Sequence, residues 1–413
     1  MISHIFIAFS LGFCVSIFAE KTEINCSAFL YGENDWSMQS SSSHCIEEVQ
    51  RVRKYCGGTK INFVLTQFWM DHNGNGIING FATKRGMNII PIDESNKKTI
   101  INGMTKCFEM AINSGFNTIE ITPHLDDGMG RNTWRNTLDM NPLKKYDGKY
   151  SYYDIMVQPI AIALNTAVKN THTVHTYMAL QGEMNIMLWK YPSEWLRIAT
   201  AIKKLLPSGA KTGVSVNFNK LCGDICTPQI VKTFKLLSVS NLLHSIDFLG
   251  MSSYPKTSII PKPKEFENSI TILANEFKTL GIDLMLLLHN ENIELHFSEF
   301  GNGGSSCSNI PTHSPIHVVD CPYYGVIGGY NAQTNPWKTL VMNQFITRYY
   351  RQLVKWVAGG TGPIYKVKAI YIWNVASWDV TGIYHSDIDK YGGYRVNGVV
   401  NALKNWNDHN IVS

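Results

Sequence analysis

Beyond residue 20 the sequence has no apolar stretch of membrane-spanning length free of charged or polar breaks, which excludes a later transmembrane helix. Basic residues never accumulate. The longest runs are pairs such as Lys144-Lys145 and Lys203-Lys204, and a net charge of +5 spread this thinly makes no nucleic-acid stripe. There is no His-x-His or His-Glu-x-x-His signature, so neither a metal nor any other cofactor is expected. Phe29-Leu30-Tyr31-Gly32-Glu33-Asn34 is not a Gly-rich phosphate loop, which argues against an open dinucleotide-binding sheet. No low-complexity linker and no short-period repeat divides the chain. With 44% hydrophobic and 17% charged residues over 413 positions, it reads as an ordinary folded protein with a large core.

The N-terminus is where long apolar sequence does occur. Ile5 to Ala19 ends in Ser16-Ile17-Phe18-Ala19 before Glu20, which suits a signal peptide over residues 1–19 and predicts a secreted protein, not membrane-bound after cleavage. Nine cysteines are present, and removal of Cys14 with the signal leaves an even set of eight, the pattern of disulfides in an oxidising compartment. Cys222 with Cys226 and Cys307 with Cys321 are close enough for local bridges; Cys45–Cys56 and Cys26–Cys107 then follow by elimination. Asn25-Cys26-Ser27 is a glycosylation sequon.

The mature chain alternates. Strand-like apolar runs are expected at 24–31, 60–69, 117–122, 173–181, 211–217, 245–253, 293–299 and 366–373. Helical stripes lie between them. One comprises Ile46, Val49 and Val52. Another comprises Trp195, Leu196, Ala199, Ile202 and Leu206, capped by Ser193 and ended by Pro207. A third opens at Thr227-Pro228 and runs through Ile230, Val231, Phe234 and Leu237, a fourth opens at Asn335-Pro336, and Val396, Val399, Val400 and Leu403 stripe the last. Eight strands alternating with helices predict an α/β fold, a single-domain (β/α)8 TIM barrel over 20–413 with extended loops.

A barrel of this kind places its active site at the C-terminal strand ends. Strand four ends on Gln181-Gly182-Glu183 and strand seven on Phe297-Ser298-Glu299. An ionised carboxylate avoids a low-dielectric interior unless it is paired or functional. Strands four and seven also face each other across an eight-strand ring, so the two Glu side chains converge over its mouth. That is the requirement of a retaining glycosidase: a nucleophile, and an acid/base whose pKa is raised, about 5–5.5 Å apart. Trp134, Tyr254 and Trp373 offer faces for pyranose rings. Tyr254 is placed to hydrogen-bond a nucleophile. His124 reads equally as a buried structural histidine, and Arg135 as a partner of Asp126 or Asp127.

Glu on strand four with Glu on strand seven resembles the clan A glycoside hydrolases. The local stretches look more narrowly like glycoside hydrolase family 113, which includes β-mannanases. These are Thr122-Pro123-His124-Leu125-Asp126 with Trp134-Arg135; Leu180-Gln181-Gly182-Glu183-Met184; Ile246-Asp247-Phe248-Leu249-Gly250-Met251-Ser252-Ser253-Tyr254-Pro255; and Phe297-Ser298-Glu299-Phe300-Gly301. They span about half of the mature chain, in family order. The resemblance implies Glu183 as acid/base, Glu299 as nucleophile, and substrate contacts from His124, Trp134, Arg135, Tyr254 and Trp373. Many clan members carry Asn immediately before the acid/base; here it is Gly182, so the hydrogen bond that Asn gives the sugar falls to Asn217 or Asn185. The partner so implied is a polysaccharide or oligosaccharide, β-mannan first, acted on by a monomer, with a catalytically silent sugar-binding barrel as the alternative. A further feature, Asp71-His72-Asn73-Gly74-Asn75-Gly76, imitates half of an EF-hand loop. Its twelfth position is Ala82 where a bidentate Glu is needed, so a Gly-rich turn is expected there.

Overall fold

In the computed structural model, the structure describes residues 21–32, 35, 44–86, 89–131, 133–169, 171, 173–219, 221, 228–302, 315, 335–361, 365–375, 378–384 and 394–412. The expected signal at 1–19 and the cysteines 222, 226, 307 and 321 lie outside them.

Eight parallel strands close into a barrel: β1 (Glu23–Tyr31), β2 (Lys60–Met70), β3 (Thr118–Asp127), β4 (His175–Gly182), β5 (Lys211–Asn217), β6 (Phe248–Ser253), β7 (Glu294–Phe300) and β8 (Val367–Ile372). Each pairs with its neighbours in chain order, and closure comes from β1 pairing with both β8 and β2. The principal helix after each strand completes the ring: α1 (His44–Tyr55), α2 (Glu94–Asn113), α3 (Gln158–Val168), α4 (Pro192–Ile202), α5 (Leu236–Leu243), α6 (Asn268–Thr279), α7 (Leu340–Ala358) and α8 (Asn397–His409). The amphipathic stripes seat these helices. On α1, Cys45, Val49 and Val52 are buried against the barrel; on α8, Val399, Val400 and Leu403 are. No helix among the described residues is long and apolar enough to cross a membrane.

Several expectations are corrected. Tyr191, not Ser193, is the residue before α4. Pro192 takes the first helical position, where its missing N–H leaves nothing unpaired, and the Tyr191 carbonyl accepts from Glu194 and Trp195 N–H. The stripe from Ile230 to Leu237 is split between Pro228–Val231 and α5, because the Thr233 hydroxyl takes the Ile230 carbonyl (2.6 Å) and closes a short turn there. Leu237 is consequently 80% exposed. The disulfides are Cys26–Cys56 and Cys45–Cys107, with Cα atoms 6.2 and 5.9 Å apart. Cys45 and Cys56 stand at opposite ends of α1, about 16 Å apart along a helix, beyond any disulfide. Asn25 of the sequon is fully buried and donates to Glu23, leaving no room for a glycan.

The strands are not apolar on both faces. Asn62 of β2 donates to the Ser298 carbonyl of β7, and Glu120 of β3 bonds both His296 and Ser298 of β7. These strands are not neighbours, so the bonds run through the barrel interior, which usually holds branched apolar side chains. The period-2 alternation places this polar face inward and the apolar one under the helices.

After β2 the chain makes an unforeseen antiparallel return, Gly80–Lys84, pairing Met70 with Gly80. The Asp71 loop is its turn. The Asp71 carboxylate accepts the N–H groups of Gly74 (2.8 Å), Asn75 (3.3 Å) and Gly76 (2.8 Å), and Gly74 and Gly76 take left-handed conformations.

Candidate active site

Glu183 follows β4 directly and sits at φ +55°, in the left-handed region that side chains other than Gly, Asn and Asp seldom enter. Such a conformation costs about 1–3 kcal/mol and persists only where neighbours enforce it. Gln181 does so here. Its amide N–H donates to the Ser215 carbonyl (2.9 Å), its oxygen accepts from Met184 N–H (2.6 Å), and Glu183 N–H itself reaches Ser215 (3.0 Å). The chain thereby turns at the strand end with the carboxylate held over the barrel.

Three donors surround that carboxylate. Asn217, at the end of β5, donates to Oε1 at 2.6 Å; Trp134 Nε1 stands 3.4 Å and Arg135 Nη2 3.2 Å from Oε2. Glu299 on β7 accepts from the Tyr254 hydroxyl at 3.0 Å. Both carboxylates are almost buried, at 5% and 3% exposure.

Arg135 joins them. The chain leaves β3 through a loop tied by Asp127, which accepts from Met129 and Thr133 N–H, and enters the 3-10 turn Arg135–Thr137. From there the guanidinium hydrogen-bonds Asp126 at 2.6 Å and forms ion pairs with Glu183 at 3.2 Å and, more loosely, with Glu299 at 3.8 Å. One nitrogen contacts both glutamates, so the contacting oxygens are within about 7 Å of each other. That bound contains the retaining separation of about 5–5.5 Å and reaches the short end of the inverting range. Burial pushes the Glu299 carboxyl above the usual range, opposed by Arg135 and by the Tyr254 hydrogen bond.

His124 lies under this group, 1% exposed. Burial, reinforced by the Arg135 charge, lowers its pKa to about 3, so the imidazole is neutral at ordinary pH. Its Nε2 is 2.9 Å from Glu299 Oε1, although the ring N–H is not aimed along a hydrogen bond. Trp373 follows β8, half-buried, with its ring 5.6 Å from the imidazole and its face edge-on to Phe29 at 4.9 Å.

The structure thus brings together Glu183, Glu299, His124, Trp134, Arg135, Asn217, Tyr254 and Trp373. Of the two asparagines weighed, Asn217 reaches Glu183, while Asn185 is fully buried with its N–H on Asn136. Asp126 is the partner of Arg135. Tyr31 was missed. It ends β1, carries the Arg85 guanidinium over its ring at 4.8 Å, and has its pKa raised by burial and the nearby Asp126. Its position at a barrel strand end was the available signal. Among the described residues no group of three or more His, Cys, Asp or Glu gathers as a metal site.

Comparison with solved structures matches this whole architecture. A structure described as a complex of a GH113 β-1,4-mannanase aligns over 95% of this chain and 100% of its own, at TM-score 0.51 and 11% identity. A second GH113 β-1,4-mannanase aligns over 94% and 100%, at 0.50 and 12%. The chain shares the fold of these mannanases. A GH113 β-mannanase from Alicyclobacillus acidocaldarius also aligns, over 94% of this chain and 99% of its own, at 0.48 and 12%. No protein-family model and no curated protein sequence matches the chain.

Proposed function

We propose that this chain is a retaining glycoside hydrolase acting inside a β-linked polysaccharide, β-mannan first, with Glu299 as nucleophile and Glu183 as acid/base. The observation that carries the reading is the pair of nearly buried strand-end carboxylates sharing one guanidinium nitrogen. The names of the two GH113 β-1,4-mannanase structures described above support mannan as the first substrate to test.

In the first step a Glu299 oxygen attacks the anomeric carbon while protonated Glu183 gives its proton to the departing glycosidic oxygen. A glycosyl ester on Glu299 forms as the glycosidic bond breaks. Glu183, now a carboxylate, takes a proton from water; the water oxygen attacks the same carbon and the ester bond breaks, restoring both groups. Tyr254 and Arg135 favour ionised Glu299 before attack and stabilise it again as leaving group. Trp373 and Trp134 present aromatic surface to the sugar.

The 1–19 segment is read as a signal peptide and 20–413 as one catalytic domain, secreted as a monomer; the two disulfides support an oxidising compartment. One observation favours a silent sugar-binding barrel instead: Arg135 holds the Glu183 carboxylate in an ion pair at 3.2 Å, where it competes with a glycosidic oxygen for that group. Assay of the purified protein on β-mannan, β-glucan and β-galactan, with NMR of the first-formed anomer, decides. Retention of configuration and a loss of about 10²–10⁴-fold in Glu183→Gln and Glu299→Gln are expected. Inverted product, or full activity in either variant, rejects the assignment, and binding without turnover selects the silent barrel.

A further inference from the structure

Both glutamate-bearing strands gain a residue just before the carboxylate. Against β5, β4 pairs Ala179 with Gly213 and then Gly182 with Ser215, one residue longer than its partner. Against β6, β7 pairs His296 with Gly250 and then Glu299 with Ser252; against β8 it pairs Phe297 with Ile370 and then Phe300 with Ile372. A bulge of this kind rotates the residues that follow it and re-aims their side chains. The β4 bulge is held by Gln181, as described above.

The β7 bulge is held from across the barrel. Ser298 lies within it, and its hydroxyl donates to Glu120 Oε1 at 2.8 Å. The other oxygen of Glu120 is 2.6 Å from His296 Nδ1, on the near side of the bulge. Asn62 donates to the Ser298 carbonyl at 3.0 Å and accepts from Thr122 at 3.2 Å. One carboxylate on β3 therefore grips β7 on both sides of the inserted residue, and an amide on β2 fixes the backbone between. Space is committed too: a Cβ at Gly250 would fall 2.3 Å from the Ser298 hydroxyl. Glu120, Ser298 and Asn62 have no exposure, and His296 has 1%. Burying a carboxylate and an imidazole in a barrel core is costly compared with packing it with apolar side chains.

We infer that Glu120, His296, Ser298 and Asn62 are positioning residues for the reaction proposed above, clamping the β7 bulge so that Glu299 is aimed at the anomeric carbon. The inference rests on that functional reading. Relaxing the bulge displaces Glu299, and a displacement of about 1 Å is worth on the order of 10²-fold in rate.

The test compares Ser298→Ala, Asn62→Ala and Glu120→Gln with the wild type on its best glycan, with thermal melting measured alongside. Glu120→Gln removes the charge that helps hold the His296 proton, and with the ring then neutral it can keep both bonds, accepting from Ser298 and donating to His296. The expected result is a fall in kcat of about 10–10²-fold for Ser298→Ala and Asn62→Ala with KM within about twofold, and near-wild-type kcat for Glu120→Gln. Should Ser298→Ala fail to fold, Asn62→Ala is read by the same criterion. Lower melting temperature with kcat intact in the folded alanine variants overturns the inference and leaves the function standing. A wild type without turnover on any β-glycan overturns both.

Discussion

A Cβ on Gly182 would stand 2.7 Å from Cδ2 and 2.9 Å from Nε2 of His124. The imidazole, together with Thr122 Cγ2 at 2.8 Å, occupies the space into which a side chain at 182 would project, so Gly182 and His124 are one packing solution. Gly182→Ala is therefore expected to destabilise by about 1–3 kcal/mol through overpacking. His124→Ala in the same chain should recover part of that loss. Urea unfolding of both single variants and the double variant measures the coupling, and strictly additive effects would contradict the packing account.

Arg135 and Tyr254 both draw Glu299 toward its ionised form, against the burial that raises its pKa. Removing either helper raises that pKa further, and a nucleophile must be ionised to attack. The acid limb of kcat/KM should therefore move to higher pH in Arg135→Gln and in Tyr254→Phe, with the larger shift in Arg135→Gln. Unmoved limbs in both variants would count against Glu299 as nucleophile.

His124 and His296 make stability depend on pH in opposite senses. His124 falls from 6.5 in the unfolded chain to about 3, so its contribution is present above about pH 6.5 and is lost progressively as pH falls toward 3. His296 is raised: burial opposes its charge, but Glu120 and Glu294 hold the proton. Its contribution is complete below the unfolded value and is lost as pH rises through the folded one. Urea midpoints of His124→Phe should fall less than those of wild type between pH 6.5 and 4. Those of His296→Phe should fall less on the alkaline side. Parallel curves for all three proteins would refute the assignment.

The two disulfides close loops with sequence separations of 30 and 62. On chain-entropy grounds they contribute about 3.6 and about 4.3 kcal/mol respectively. Cys45→Ser with Cys107→Ser should lower the melting temperature more than Cys26→Ser with Cys56→Ser. Peptide mapping of the unreduced protein checks the pairing directly, and a Cys45–Cys56 linked peptide would overturn it.

The Asp71 carboxylate is taken up by three backbone N–H groups of its own turn. Millimolar calcium or a chelator should leave the melting temperature unchanged; a rise with calcium would reveal a binding site there.

Much of this arrangement was legible in the sequence because it follows local rules. Alternating strand-like and helical segments announce a barrel, a barrel puts function at strand ends, and Glu183 and Glu299 stand at two of them. The polar inner face was readable too, since Asn62, Glu120, Thr122, His296 and Ser298 alternate with apolar residues, but strand runs judged by overall hydrophobicity conceal a period of two. The hairpin after β2 escaped because its second strand is short and begins at a glycine.

What the sequence determined by itself was the list of elements, the eightfold alternation and the candidate carboxylates, since each depends on residues near one another in the chain. Tertiary structure alone decided which cysteines meet, which asparagine reaches Glu183, and that Arg135 touches Asp126, Glu183 and Glu299 together. Those contacts join side chains from different strands and loops. A distance between such groups is set by barrel closure and by the bulges that turn each strand end, and neither leaves a periodic trace in the order of residues.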